Sequence, residues 1–289
     1  MSASDSDSSA GSPVTAPEEK ETPEQMFITV DAIPTIAKLY GKEVLKRAET
    51  ERYPFNKVLL ERVSLFQGDI TRLKLDCIVN AANKSLLGGG GVDGAIHSAA
   101  GPKLLEECRT LNGCMTGQSK ITRGYNIPAS HIIHTVGPVY SESAKEEKAE
   151  LLASCYRTSL ELAVENSLRH IAFPSVSTGI YGYPIADATD IALDEVRKFL
   201  ETENGSKLER VILVVWSDRD KGVYQQMIPG YFPPPPEGDI AADGEVEAED
   251  AKPAPEKSVP EGEGKPEEKQ EPPVEKQKET KELDAGNQS

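Results

Sequence analysis

One stretch constrains this chain more than any other. Asp76-Cys77-Ile78-Val79 runs straight into Asn80-Ala81-Ala82-Asn83 and Lys84-Ser85-Leu86-Leu87, then into Gly88-Gly89-Gly90-Gly91-Val92-Asp93-Gly94-Ala95-Ile96-His97. The first four residues have the short, β-rich apolar character of an interior strand. Four glycines free the backbone to approach a ligand with its peptide N–H groups turned outward. After Val92 the pattern becomes helical, so Asp93 and His97 stand one turn apart on one face. A polar strand exit, a glycine loop and a helix start in one place describe a site for an anionic ligand.

The rest of the middle alternates between strand and helix signals. Residues 57–66 read as extended chain entering the Gly68-Asp69 turn, and 76–79, 131–136, 171–175 and 211–215 read as strands. Helical spacing appears through Leu151, Leu152, Cys155, Tyr156, Leu160 and Ala163, and again through Ala188, Ile191, Ala192, Val196, Phe199 and Leu200. A further helix is expected over residues 35–50, packed from outside. Uninterrupted apolar strands separated by helices imply a sheet covered on both faces. Ligands of such sheets bind outside the carboxyl ends of the strands, which is where the polar motifs fall.

Charge divides the chain. Its net charge of −16 at pH 7 resides almost entirely at the two ends: residues 1–24 carry −5 and residues 237–289 carry −10. Residues 1–25 and 233–289 are therefore read as disordered acidic segments, the second opening on Pro233-Pro234-Pro235-Pro236. Neither has the apolar content needed to offset the cost of ordering its backbone. Residues 26–56 form an N-terminal extension and 57–232 the domain itself. No apolar run approaches the roughly 18 residues of a membrane span, and no signal peptide or presequence pattern is visible. Cys77, Cys108, Cys114 and Cys155 lack C-x-x-C spacing and nearby paired histidines, so neither a metal nor another cofactor is expected. Scattered thiols suit a reducing interior, cytoplasm or nucleus.

The motifs together resemble the macrodomain family, and the GGGGVDGAIH run is similar to the MacroD-type branch of ADP-ribosyl hydrolases. Gly68-Asp69-Ile70-Thr71, Thr116-Gly117-Gln118-Ser119-Lys120-Ile121-Thr122 and Ser177-Thr178-Gly179-Ile180-Tyr181-Gly182 agree with it, so the resemblance spans roughly 57–228. It implies an α/β fold of three α/β/α layers with a central mixed sheet. It also implies roles. Asp69 would accept from the adenine amino group beside a backbone contact from Ile70, and Trp216 would stack on the base. Gly90, Gly91, Val92, Ser177, Thr178, Gly179 and Ile180 would cradle the diphosphate, with Tyr181 as a lid. Asn83 would bind the distal ribose. Asp93 would hold or deprotonate a water, and His97 would orient Asp93 or the ribose. Asn80 is read as a loop cap, and Cys114, Thr116 and Lys120 as a brace; Met115 stands where relatives often carry an acid.

The implied activity is hydrolysis of mono-ADP-ribose esters on Asp and Glu side chains and of O-acetyl-ADP-ribose, without a metal. Expected partners are ADP-ribose, ADP-ribosylated proteins, O-acetyl-ADP-ribose and ADP-ribosylated nucleic-acid ends, with no membrane partner and a monomeric state. The rivals are a non-catalytic ADP-ribose reader and an ADP-ribose 1″-phosphate phosphatase.

Overall fold

The computed structural model describes residues 27–236. The expectations for residues 1–25 and for the tail beyond 236 lie outside the described residues. In chain order the elements are β1 (Ile28–Thr29), α1 (Ile36–Gly41), α2 (Lys57–Arg62), β2 (Val63–Gln67), β3 (Leu73–Lys74), β4 (Cys77–Ala82), α3 (Gly91–Ala100) and α4 (Pro102–Thr110). They continue as β5 (Ser119–Arg123), β6 (His131–Val136), α5 (Lys145–Glu165), β7 (His170–Pro174), α6 (Ile185–Leu200), β8 (Arg210–Val215) and α7 (Asp218–Tyr231).

Six strands form one sheet in the order β2-β8-β7-β4-β6-β5, and β1 pairs with β3 separately. Every pairing in the large sheet is parallel except β5 with β6, so the sheet is mixed. Side chains alternate across it. Ile78, Ile132, Ala172 and Ile212 face one way, against Ile96 of α3 and Leu104 and Cys108 of α4. Val79, Ile133, Phe173 and Leu213 face the other, against residues of α5, α6 and α7. This is the expected α/β fold of three α/β/α layers, and both faces are buried, which is why the strands read as continuous apolar runs.

Several local expectations are corrected. Residues 57–62 are helical rather than extended, because the Asn56 side chain caps the turn by accepting from the Leu59 amide at 3.3 Å. The helix expected over 35–50 is only α1. After Gly41 the chain turns back, with Glu43 at positive φ and Val44 N–H donating to the Leu39 carbonyl, a closure that usually uses glycine. Ile36, Leu39 and Leu45 then join the main core. At the end of the described residues Pro233 is buried and Arg47 donates to Pro234 O. Arg197, 1% exposed, ties these parts together by donating to Tyr231 O, Pro54 O and the Glu201 carboxylate.

Candidate functional site

Five strand ends converge on one rim of the sheet: β2 leads to Asp69, β4 to Asn83, β6 to Gly137, β7 to Ser175–Gly182 and β8 to Trp216. A cleft of about 340 Å³ opens over β4, β6 and β7. Nine expected residues line it: Asn83, Gly90, Gly91, Val92, Asp93, Ser177, Gly179, Ile180 and Tyr181. Ala81, Ala82, Gly89, Gly137 and Ser175 complete the wall.

Asp93 lies in the first turn of α3 and is 3% exposed. Its Oδ1 accepts from the Asn80 amide nitrogen at 2.8 Å, and its Oδ2 lies 3.5 Å from Asn83 Nδ2. Burial pushes the carboxyl pKa up, opposed by the Asn80 hydrogen bond and by His97. The His97 ring nitrogen is 3.6 Å from Asp93 Oδ1, longer than a hydrogen bond, and the ring packs beneath Gly88.

Asn80 therefore holds Asp93, and its reading as a loop cap is corrected. It sits inside β4, fully buried, paired in register with His134 of β6. Its second amide hydrogen reaches His134 Nδ1 at 3.1 Å. An accepting Nδ1 puts the ring proton on Nε2, which lies 2.9 Å from Thr122 Oγ1. Burial, reinforced by His97, lowers the His134 pKa to about 3, so this link stays neutral.

The sequence gives no sign of a metal-ligand cluster, yet the structure brings ligand atoms of His97, Cys108 and His134 within 4.8 Å of one another. Hydrogen bonds account for the arrangement at His134: Asn80 and Thr122 take both ring nitrogens.

The glycine loop is positioned by contact. A Cβ on Gly94 would stand 2.4 Å from the Gly89 carbonyl oxygen, so only glycine lets the loop lie on α3 this closely. Asn83 folds the loop by donating to Gly88 O at 2.8 Å and accepting from the Ser85 amide and hydroxyl. Cys114 N–H donates to Lys84 O and Lys120 Nζ to Leu111 O, giving the 114–120 segment its bracing contacts. Across the cleft, Ser177 holds a positive φ of 66°, and a Cβ on the facing Gly137 would collide with its hydroxyl. The Ser175 and Ser177 hydroxyls are buried without a protein partner and border the cleft. Backbone strain and unpaired donors at one turn suit an anionic ligand.

The remaining expected residues lie around this centre. Thr178 braces its turn by donating to Ser175 O. Asp69 caps a short 3-10 turn, accepting from the Thr71 amide and hydroxyl, and Ile70 is buried beneath it. Trp216 is 76% exposed, so it is not core filling. Asp69 and Trp216 sit at the ends of paired strands, joined by the Gly68 N–H to Val215 O bond. They flank the cleft without lining it.

The chain is similar to known proteins. Residues 79–192 match the Macro domain family. ADP-ribose glycohydrolase MACROD1 of Rattus norvegicus is 49% identical over 207 residues, covering 72% of this chain and 80% of the rat protein. The Bos taurus protein of that name is 48% identical, and this chain spans 63% of its length. The Trypanosoma brucei macrodomain in complex with ADP-ribose matches with a TM-score of 0.59 at 42% identity, covering 70% of this chain and 77% of that one. Identity at this level, carried across most of the folded domain, makes the chain a member of the macrodomain family, in its MacroD-type branch.

Proposed function

We propose that this protein is a hydrolase that binds ADP-ribose and removes mono-ADP-ribose from Asp and Glu side chains of modified proteins, and that it deacetylates O-acetyl-ADP-ribose. The name borne by its relatives, ADP-ribose glycohydrolase, supports the activity. The observation that carries the reading is the buried Asp93 carboxylate, fixed on one oxygen by Asn80 and bordering the cleft beside Asn83.

Each group then has a task. The start of α3 and the Ser175–Ile180 turn offer N–H and hydroxyl donors to the diphosphate. Trp216 and Asp69 take the adenine, and Asn83 takes hydroxyls of the distal ribose. Binding energy from these remote parts holds the ester beside a water at Asp93. The water oxygen bonds to the carbon of the scissile C–O bond, that bond breaks, and the water's proton passes through Asp93 to the departing oxygen. The products are ADP-ribose and a free carboxylic acid, the Asp or Glu side chain of the acceptor or, from O-acetyl-ADP-ribose, acetic acid. Burial makes Asp93 a stronger base than an exposed carboxylate, and such a base contributes about 10²–10⁴-fold. Every step uses groups of the chain and substrate.

ADP-ribosylated nucleic-acid ends offer the same nucleotide contacts and belong to the proposed substrates, and a monomer is the proposed working unit. The four described cysteines are unpaired, which supports action in a reducing compartment, cytoplasm or nucleus. Among the described residues no helix is long and apolar enough to cross a membrane.

A substrate panel tests the reading. Release of ADP-ribose from a glutamate-linked acceptor, with a serine-linked acceptor and ADP-ribose 1″-phosphate left intact, is expected. Phosphate release from the 1″-phosphate alone would make the protein a phosphatase. Tight binding with no release from any of the three would make it a reader.

A further inference from the structure

A second cleft, about 670 Å³, adjoins the first on the far side of Asn83, Gly137 and Tyr181, which line both. Nothing in the hydrolysis scheme uses it. Its walls differ in character from the nucleotide cleft: Lys84 is exposed on one side, Lys148 and Glu147 form an ion pair on the other, and Val139 is 60% exposed at the rim. Lys84 makes no ion pair among the described residues, so its charge is uncompensated.

We propose that this second cleft receives the acceptor polypeptide, and that it prefers a segment with acidic residues flanking the modified side chain. The inference rests on the ester-hydrolase reading for the position of the scissile bond. With the nucleotide filling the first cleft and the distal ribose at Asn83, the acceptor carboxyl leaves the ribose beside the residues the two clefts share. The chain on either side of that carboxyl must then run outward, and the adjoining cleft is continuous with this point. Lys84 supplies the charge complement, and Val139 an apolar contact for the aliphatic part of a neighbouring side chain. Complementary charge at such a rim sets partner preference more than total affinity. Free ADP-ribose and O-acetyl-ADP-ribose lack a polypeptide and would not engage it.

The test measures equilibrium binding to full-length Asp93→Ala protein of a peptide ADP-ribosylated on one glutamate. It is compared with its counterpart having serine flanks and with free ADP-ribose. Lys84→Glu, placed in the same background, should weaken the acidic peptide by about tenfold at low salt, because reversal counts an exposed pair twice. The loss should shrink at high salt, and free ADP-ribose should bind as before. An unchanged acidic peptide, or an equal loss for free ADP-ribose or the serine-flanked peptide, would overturn the proposal. So would a peptide of residues 237–289 that binds at Lys84 as tightly as the modified peptide, since the cleft would then serve the chain's own acidic tail. The same peptides given to the wild-type protein separate the two readings. Lys84-dependent binding without release would leave the docking site and remove the hydrolase, whereas release without Lys84 dependence would do the reverse.

Discussion

Replacing Gly94 by alanine sets two effects of opposite sign against each other. In an exposed helix interior the change would stabilise by about 0.8–1 kcal/mol, since alanine has the better helix propensity. At Gly94 the added Cβ would stand 2.4 Å from Gly89 O, well inside contact distance. Restoring an ordinary separation moves the glycine loop roughly 1 Å off α3, and overpacking of this kind costs about 1–3 kcal/mol. Stability should therefore fall by at most about 2 kcal/mol, a drop of about 4–8 °C in Tm for a domain of this size. Activity should fall much further. The same loop carries Gly89 and Gly90 past Asp93 and Asn83, and misplacing a positioned reactant by 1 Å costs about 10²-fold. Steady-state release of ADP-ribose from a glutamate-linked acceptor, with thermal melting on the same samples, measures both. Gly222→Ala in α7 is the control: a Cβ there meets nothing within 4 Å, so stability should hold or rise and turnover should not change. A Gly94→Ala protein with kcat within about twofold of wild type would refute the idea that close packing on α3 positions the loop.

Three further outcomes follow from the same geometry. Because burial lifts the Asp93 pKa, the folded protein keeps that proton to higher pH than the unfolded chain does. The contribution of this group to stability is full below the unfolded pKa and lost as pH rises through the folded one. Asp93→Asn retains an acceptor for Asn80 without the buried charge, so its Tm should exceed wild type at pH 8 and the gap should close towards pH 4; a gap independent of pH would contradict the burial account. His134→Leu leaves the second Asn80 amide hydrogen unpaired, and urea unfolding should show a loss of about 1–3 kcal/mol. Trp216→Ala should weaken ADP-ribose binding by about 1–3 kcal/mol in calorimetry, the range for base stacking. Since Trp216 is largely exposed, its melting curve should stay near wild type, and a large fall in Tm would mean the indole serves the fold instead.

How much of this could be read from the chain depended on the range of the interaction. Strands β4, β6, β7 and β8 were legible because a doubly covered sheet demands unbroken apolar runs. β5 was not, since Ser119–Arg123 is a half-exposed antiparallel edge whose polar residues break that pattern. Neither was α7, because Gly222, Pro229 and Gly230 interrupt its helical pattern, although Ser217 and Asp220 are a readable capping signal. At the site, Asp93 stood out through its place beside the glycine loop. The Asn80 support did not, because its partner His134 lies 54 residues away and only strand register brings them together. Gly94 sat in plain view within the same run, but its role appears only when the loop is seen lying on the helix. Asp69 and Trp216 were found by resemblance alone, and the structure places them on the rim, at the ends of neighbouring strands.

The most direct test of the central claim is time-resolved release of ADP-ribose from a glutamate-automodified acceptor by wild-type and Asp93→Ala protein, with ADP-ribose binding measured on both. Wild type should release ADP-ribose, the variant should lose about 10²–10⁴-fold or more of that rate, and each should keep appreciable ADP-ribose affinity. Equal release by the two proteins would contradict it, as would a variant that loses turnover and ADP-ribose binding together, since Asp93 would then be a structural residue.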